Sequence, residues 1–289
     1  MTLPYVLNVI GASAYAVRMP AFEVGREHWL SEGKALDIPF DHDPAQVLAR
    51  ARHHFADQPV DVNVLASANR RKKLLIADMD STIINCECLD ELADMAGLKG
   101  VISAITERAM RGELDFAAAL RERVAMLKGL DLSALERVWR ERIRLNPGAK
   151  TLLATMRKHG AHTLLVSGGF DYFTSRVAKD AGFDADQANR LLDDGKALTG
   201  LVAEPILGRE AKLAALEKAV GELGLDAADA LAVGDGANDL AMIGRAGLGV
   251  AYHAKPIVAA SAGASVSHGD LTALLYLQGY SDDEIVRLE

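Results

Sequence analysis

Apolar and polar residues follow two different periods along this chain. The short apolar runs Leu74-Leu75-Ile76-Ala77, Thr163-Leu164-Leu165-Val166 and Leu231-Ala232-Val233 are each followed by a polar or glycine-rich loop, and read as buried strands. Stretches of helical spacing lie between them, so from Lys72 onward strands and helices alternate, the pattern of a parallel sheet covered on both faces. Asn146-Pro147-Gly148 offers an N-cap and a Pro at the first helical position, and Gly160 stops that helix before the next strand. Residues from about 85 to 145 interrupt the alternation with several amphipathic helical segments and no strand, broken near Gly97, Gly112 and Gly129. A helical insertion at this point hangs over the strand ends, where open α/β sheets bind ligands. Arg190 to Gly200 reads as a hairpin turning on Asp194-Gly195.

Residues 1–70 read differently. Tyr5 to Gly11 predicts a strand, Pro44 to Ala56 a helix with its Pro near the start, and Val60 to Leu65 alternates like a half-exposed strand. The chain therefore divides into a small α+β unit, 1–70, and an α/β domain, 71–289, with a helical cap at about 85–145.

Composition narrows the classes of function. Half of the 289 residues are apolar and a quarter are charged, as in globular proteins, and the net charge of −8 argues against a broad nucleic-acid surface. The basic run Arg70-Arg71-Lys72-Lys73 reads as a solvated linker before a buried strand rather than a phosphate patch. No apolar run reaches membrane-spanning length and no secretory pattern opens the chain, which makes a cytoplasmic location the expectation. Cys86 and Cys88, the two cysteines, are one residue apart and read as free thiols, because a disulfide between them would be strained.

Each of the three apolar runs ends in a loop suited to phosphate chemistry. In Asp78-Met79-Asp80-Ser81-Thr82 two carboxylates two residues apart leave a strand on the same side, where one can attack while the other moves protons. Ser167-Gly168-Gly169 pairs a hydroxyl with small residues whose N–H groups can nest an anion. Gly234-Asp235-Gly236-Ala237-Asn238-Asp239 supplies further acids. Each motif alone equally describes a turn or a helix cap; their order along one chain carries the argument. Carboxylates converging on a phosphate repel it unless a cation intervenes, and Mg²⁺, which takes oxygen ligands and keeps waters, fits that need.

In order and type these loops, with Asn85-Cys86-Glu87 and Leu120-Arg121-Glu122-Arg123-Val124, resemble the haloacid dehalogenase superfamily and within it the phosphoserine phosphatases. The match runs from about Lys72 to Tyr252, with a weaker continuation to the C-terminus. The resemblance implies a doubly wound parallel sheet with an inserted helical cap. It also implies Mg²⁺-dependent hydrolysis of O-phospho-L-serine through an aspartyl-phosphate, the final step of serine biosynthesis. Asp78 corresponds to the nucleophile, Asp80 to the general acid and base, and Lys212 to a lysine touching both nucleophile and phosphate. Asp78 and Asp235, with the backbone carbonyl of Asp80, correspond to the metal ligands, and Asp239 to a residue that orients a metal-bound water or a lysine. Ser167, Gly168, Gly169 and Asn238 fall at phosphate or substrate positions. Glu87 and Arg123 match the partners of the substrate ammonium and carboxylate, and Met110 and Phe116 the apolar cap positions that close on it.

Several alternatives stay open. Core packing accounts for Met110 and Phe116 nearly as well, Lys218 is easily confused with Lys212, and Arg121-Glu122-Arg123 also reads as an ordinary charged helix face. Residues two apart face different sides of a helix, so Arg121 and Arg123 cannot be equivalent ligands. The same chemistry on another small phosphate ester, phosphoryl transfer to an alcohol, and a phospho-aspartate signalling receiver compete as functions. The N-terminal unit is loosely similar to the amino-acid-binding ACT type; a structural or dimerising appendage has equal weight, and a homodimer remains open.

Overall fold

The computed structural model describes residues 3–11, 26–110 and 114–288, without the side chains of residues 107, 109 and 110. Strands β1 (Tyr5–Ile10), β2 (His28–Ser31) and β3 (Ala35–Phe40), helix α1 (Pro44–His54) and strand β4 (Asp61–Ala66) come first. The strands form an antiparallel sheet in the order β2-β3-β1-β4. Pro44 opens α1, and the Asp43 carboxylate accepts the N–H groups of Ala45 and Gln46, two donors the first helical turn leaves unpaired. Leu7, Val9, Leu36, Ile38 and Phe40 pack with Val47 and Phe55 of the α1 segment into one apolar core.

Two expectations for this region are corrected. The strand read as half-exposed is buried on both faces: Asp61 and Asn63 are only 4% and 1% exposed. Asn63 donates to the carbonyl of Ser265 and accepts its N–H, while the Asp61 carboxylate takes the N–H groups of Ser267, His268 and Gly269. Polar side chains can be buried here because they satisfy the backbone of a strand edge. The basic run is a solvated linker only in part: Arg71 and Lys73 are exposed, Arg70 and Lys72 are not. Arg70 pairs with Asp37 and donates to the carbonyls of Tyr276 and Leu277, and the Lys72 ammonium reaches the Ala228 carbonyl at 2.7 Å. Long basic side chains bury their stems wherever carbonyls and carboxylates meet the charged end.

Strand β5 (Leu74–Ala77) leads into four helices, α2 (Cys88–Met95), α3 (Lys99–Met110), α4 (Phe116–Ala125) and α5 (Ser133–Glu141), where a helical insertion was expected. Gly97 and Gly129 break it with φ of 69° and 83°; Gly112 lies outside the described residues. Helix α6 (Ala149–Lys158) starts later than expected. Gly148 adopts φ 84°, and a Cβ there would lie 2.7 Å from the Thr272 nitrogen, so Pro147 precedes the helix instead of opening it. The remaining elements are β6 (His162–Phe170), α7 (Asp171–Ala181), β7 (Ala185–Asn189), the hairpin β8 (Leu191–Asp193) and β9 (Leu198–Val202), α8 (Arg209–Leu223), β10 (Ala230–Gly234), α9 (Leu240–Arg245), β11 (Leu248–Tyr252), α10 (Pro256–Ser261), β12 (Ala264–Val266) and α11 (Ala273–Leu277). The hairpin turns on Asp194-Gly195 as expected, with Gly195 at φ 86°.

The main sheet has the order β12-β11-β10-β5-β6-β7, with parallel pairing at β10–β11, β11–β12 and β6–β7. This is the expected α/β sheet, with an antiparallel α+β unit ahead of it. The chain packs as two compact units, one of residues 1–76, 146–163 and 216–289, the other of residues 77–145 and 164–215. Among the described residues no helix is long and apolar enough to cross a membrane.

In the first unit Glu284 holds the C-terminal segment. Its carboxylate takes the Arg71 guanidinium at 2.6 Å, and the N–H and hydroxyl of Ser281 each at 3.0 Å. Burial pushes this carboxyl up, but those donors outweigh it and hold the pKa down at about 2. A depressed carboxyl stabilises the fold above its unfolded pKa of ~4.3 and loses that contribution as pH falls through its folded value. Glu284→Gln is therefore expected to lower the urea midpoint at pH 7, with the gap to the parent narrowing between about pH 5 and about pH 3. A gap independent of pH would show that shape, not charge, is what Glu284 contributes.

Candidate active site

Strand β5 delivers Asp78 at its end, 5% exposed and with extended backbone. Its Oδ1 accepts the N–H of Met79 at 2.8 Å and the Lys212 ammonium at 2.6 Å. Lys212, on α8, is only 2% exposed, so this ion pair sits where water screens it little. Lys218, its competitor in the sequence, is instead exposed and paired at 3.8 Å with Glu222 on its own helix.

After Asp78 the chain makes one wide turn over Met79–Ile83 whose interior is not helical: Asp80 is extended and Ser81 is left-handed, at φ 56°. That reversal aims both side chains. The Asp80 Oδ1 accepts the N–H of Cys88 at 2.9 Å and its Oδ2 the hydroxyl of Ser167 at 3.2 Å, while the Ser81 hydroxyl donates to Glu87 at 2.6 Å. Burial and then the charge of Glu87 push Asp80 up to about 7, against the hydrogen bonds from Cys88 and Ser167. Near neutral pH this carboxyl is poised to give or take a proton.

The Ser167-Gly168-Gly169 loop lies at the end of β6, with Ser167 1% exposed and its Oγ accepting the N–H of Gly169 at 2.8 Å. A Cβ on Gly169 would fall 2.8 Å from the Asp80 Oδ2. The glycine is there for close approach.

Asp235 and Asp239 follow β10. Asp239 is fully buried, and its Oδ2 accepts the N–H of Gly236 at 3.0 Å. A Cβ on Gly234 would collide with the Asp239 carboxylate at 2.4 Å. Asn238, partly buried, lies in the single turn between these acids and α9. Asp78 follows β5, and Asp235 and Asp239 follow β10; all three offer carboxylate oxygens, and an all-oxygen donor set suits a hard divalent ion. The residues fit a metal of the Mg²⁺ type.

The helical insertion carries the remaining candidates. Glu87, exposed, precedes α2. Arg123 on α4 donates from Nε to the carbonyl of Ala119 at 3.1 Å; burial lowers its pKa, while the charges of Asp90 and Glu87 raise it. Arg121 is engaged elsewhere, donating to Glu204 Oε1 from Nε at 3.1 Å and Nη2 at 2.7 Å. Phe116, 37% exposed, begins α4, and a Cβ on either Gly168 or Gly208 would lie 3.1 Å from its ring. The ring therefore rests on two glycines, one of them in the Ser167 loop. Met110 ends α3, but its side chain lies outside the described residues.

The structure thus pairs Asp78 with Lys212 and, in a second set of contacts, brings Asp80 together with Ser167, Gly169 and Glu87. It also adds two residues that sequence reasoning did not single out. Ser81 grips Glu87, and the Cys88 N–H grips Asp80; a hydroxyl and a backbone donor of this kind leave no pattern of their own in a sequence.

Comparison with known proteins bears on this geometry. A haloacid dehalogenase-like hydrolase family model matches residues 75–244. A phosphoserine phosphatase from Polaromonas sp. is 48% identical over 210 residues, covering 71% of this chain and 89% of that protein. The crystal structure of a haloacid dehalogenase family hydrolase from Salmonella enterica serovar Typhi superposes with a TM-score of 0.84 at 28% identity, over 96% of this chain and 99% of that one. A phospho-aspartyl intermediate analogue of a phosphoserine phosphatase superposes with a TM-score of 0.65 at 40% identity, over 71% of this chain and 98% of that one. The chain belongs to the haloacid dehalogenase-like hydrolase family.

Proposed function

We propose that this hydrolase removes phosphate from O-phospho-L-serine with Mg²⁺ bound, through a phosphoryl group carried on Asp78. The observation that carries the reading is the pairing of two unlike carboxyls two residues apart. Asp78 is held against a buried ammonium, while Asp80 is lifted to about 7. Environments that push two carboxyls apart assign one as nucleophile and the other as acid. The Asp78 carboxylate attacks phosphorus, the phosphorus–oxygen bond to the seryl oxygen breaks, and Asp80 delivers its proton to that oxygen. Water then attacks the acyl-phosphate, Asp80 takes the water's proton, and Asp78 is regenerated. Lys212 fixes the orientation of Asp78 and offsets phosphate charge, and the Ser167 loop supplies donors for the phosphoryl oxygens. The carboxylates of Asp78 and Asp235 and the backbone carbonyl of Asp80 would hold the metal, with Asp239 behind them. Bound there, Mg²⁺ supplies charge neutralisation. A receiver that stores its phosphoryl group as a message would have no use for a proton donor at position 80.

The cytoplasm is the compartment we propose, and the two free thiols beside Asp80 suit its reducing conditions. The partner we propose is the small-molecule substrate, with no nucleic acid or membrane; the −8 charge supports that reading.

Phosphate release from a panel of small esters, with Mg²⁺ and with chelator, tests the function. Release should favour phosphoserine, stop with chelator and return with Mg²⁺; Mg²⁺ should also raise Tm, a readout independent of turnover. Equal release from every ester would sink the serine assignment, and none from any would sink the hydrolase.

Specificity is assigned to Arg123 for the substrate carboxylate and Glu87 for its ammonium. Arg121 is spent on Glu204, which leaves Arg123 as the arginine facing Glu87 and Asp90. Truncating one partner of an enclosed charge pair costs about 2–5 kcal/mol. Arg123→Ala should therefore depress kcat/KM for phosphoserine steeply and for p-nitrophenyl phosphate little, and shrink the preference over phosphoethanolamine, which lacks the carboxylate. Equal losses on all three would move Arg123 into cap structure.

A further inference from the structure

We infer that Asn189, at the end of β7, is a positioning residue that sets the orientation of the Ser167 loop and of the segment leading to Lys212. The inference rests on the proposed function for its kinetic consequences, but not for its geometry. Strands β6 and β7 pair in parallel at Val166 with Gln187 and again at Phe170 with Asn189. Four steps on one strand therefore face two on the other, and the loop Ser167-Gly168-Gly169 bulges out of the ladder. A bulge leaves backbone groups without ladder partners. Asn189, 2% exposed, supplies one: its Nδ2 donates to the Gly168 carbonyl at 2.8 Å.

The carbonyl of Gly168 and the N–H of Gly169 belong to one planar peptide and point to opposite sides. Holding the carbonyl toward Asn189 therefore directs the N–H away from it, onto the Ser167 Oγ at 2.8 Å. With its acceptor side taken, the Ser167 hydroxyl turns its proton to Asp80 Oδ2 at 3.2 Å. A chain of donors thus runs from Asn189 through the 168–169 peptide and Ser167 to Asp80. Glycine on both sides of that peptide makes it free to flip, so a clamp is needed where most sequences would supply one by sterics.

The same amide grips a second segment. Its Nδ2 also donates to the Leu207 carbonyl at 3.1 Å, and its Oδ1 accepts the Leu207 N–H at 2.7 Å, so the side chain stands in for a strand's backbone. Leu207 lies just before α8, the helix that carries Lys212 to Asp78. One buried amide therefore registers the loop beside the proton donor and the helix beside the nucleophile. Asn189 touches no reacting atom; it acts through those two segments.

Asn189→Asp tests this, because it keeps the shape and the acceptor for Leu207 but removes both donations from Nδ2. The single-turnover rate with phosphoserine should fall on the order of 10–10²-fold, as for other small misplacements of catalytic groups, with KM changed far less. The fall should be smaller for p-nitrophenyl phosphate, whose leaving group needs little protonation. In the parent protein the Gly169 amide should exchange slowly with solvent, and in Asn189→Asp at least several-fold faster. Parent-like rates in a folded Asn189→Asp, or equal losses on both substrates, would overturn the inference. Fast Gly169 exchange in the parent would overturn it too, even if the variant failed to fold. A parent without activity on any ester would instead refute the proposed function, and the exchange comparison would still decide whether the clamp exists.

Discussion

Asp78→Asn is expected to reduce phosphoserine hydrolysis to background while leaving the fold intact. The amide is nearly isosteric and can still accept the Met79 N–H and the Lys212 ammonium through Oδ1, but it offers no anionic oxygen to attack phosphorus. Loss of its charge also strips the buried Lys212 ammonium of its counter-ion, which costs stability. Tm without Mg²⁺ should therefore fall while unfolding stays cooperative, and the rise in Tm that Mg²⁺ confers should shrink. Acid quench of the parent during turnover should trap an acid-stable, hydroxylamine-labile phosphoryl group at position 78. Phosphate found on a serine or histidine instead would end the aspartyl mechanism.

Asp80→Asn is expected to cost ~10²–10⁴-fold in the first chemical step with phosphoserine, the usual worth of general acid–base help. Metal binding should survive, because the ligand assigned there is a backbone carbonyl. Since a nitrophenolate leaves without being protonated, p-nitrophenyl phosphate should lose less of its single-turnover rate. Release of the phosphoryl group should be slow for both substrates, as the water loses its base. Equal losses in the first step would assign Asp80 to positioning alone. The raised pKa has a stated origin that the same experiments can probe: burial comes first and the Glu87 charge second, so Glu87→Gln should lower the apparent acidic pKa of Asp80 in the metal-free protein.

Much of the scaffold was readable before any coordinates. A four-residue apolar run followed by Asp-Met-Asp marks a strand and its end, because strands emit side chains on a period of two and loops collect at their tips. The helical insertion and the Asp194-Gly195 hairpin were equally plain, since glycine breaks and periodicity are local properties. Where the reading failed, the cause was long-range. Arg70 and Lys72 look solvated until Asp37, Tyr276 and Ala228 come to meet them, and Asp61 and Asn63 look exposed until the β12 segment presents its backbone. The late start of α6 depends on Thr272, more than a hundred residues away.

The candidate site divides the same way. Residue type and order nominated Asp78, Asp80 and Ser167, because the chemistry of a phosphate ester calls for an anionic nucleophile, a proton donor and anion-binding groups, while the family resemblance added Lys212 and the metal role of Asp235. The choice between Arg121 and Arg123 was not available there. Glu204, which follows β9 and takes the first of the two, supports the second. Nor could the chain sequence say that Asn189 would clamp the Ser167 loop, since that role exists only because β6 bulges opposite it.

By itself the sequence determined the α/β pattern, the helical insertion and the kinds of side chain at three strand ends, all of which depend on neighbours in the chain. Only the tertiary structure decided which lysine pairs with Asp78, which arginine pairs with Glu204, and that Asp80 is desolvated beside a second carboxylate at a pKa of about 7. Those outcomes depend on burial and on distances between residues far apart in sequence, and the desolvation and Coulomb energies that set a proton's affinity do not exist until the fold brings the groups together.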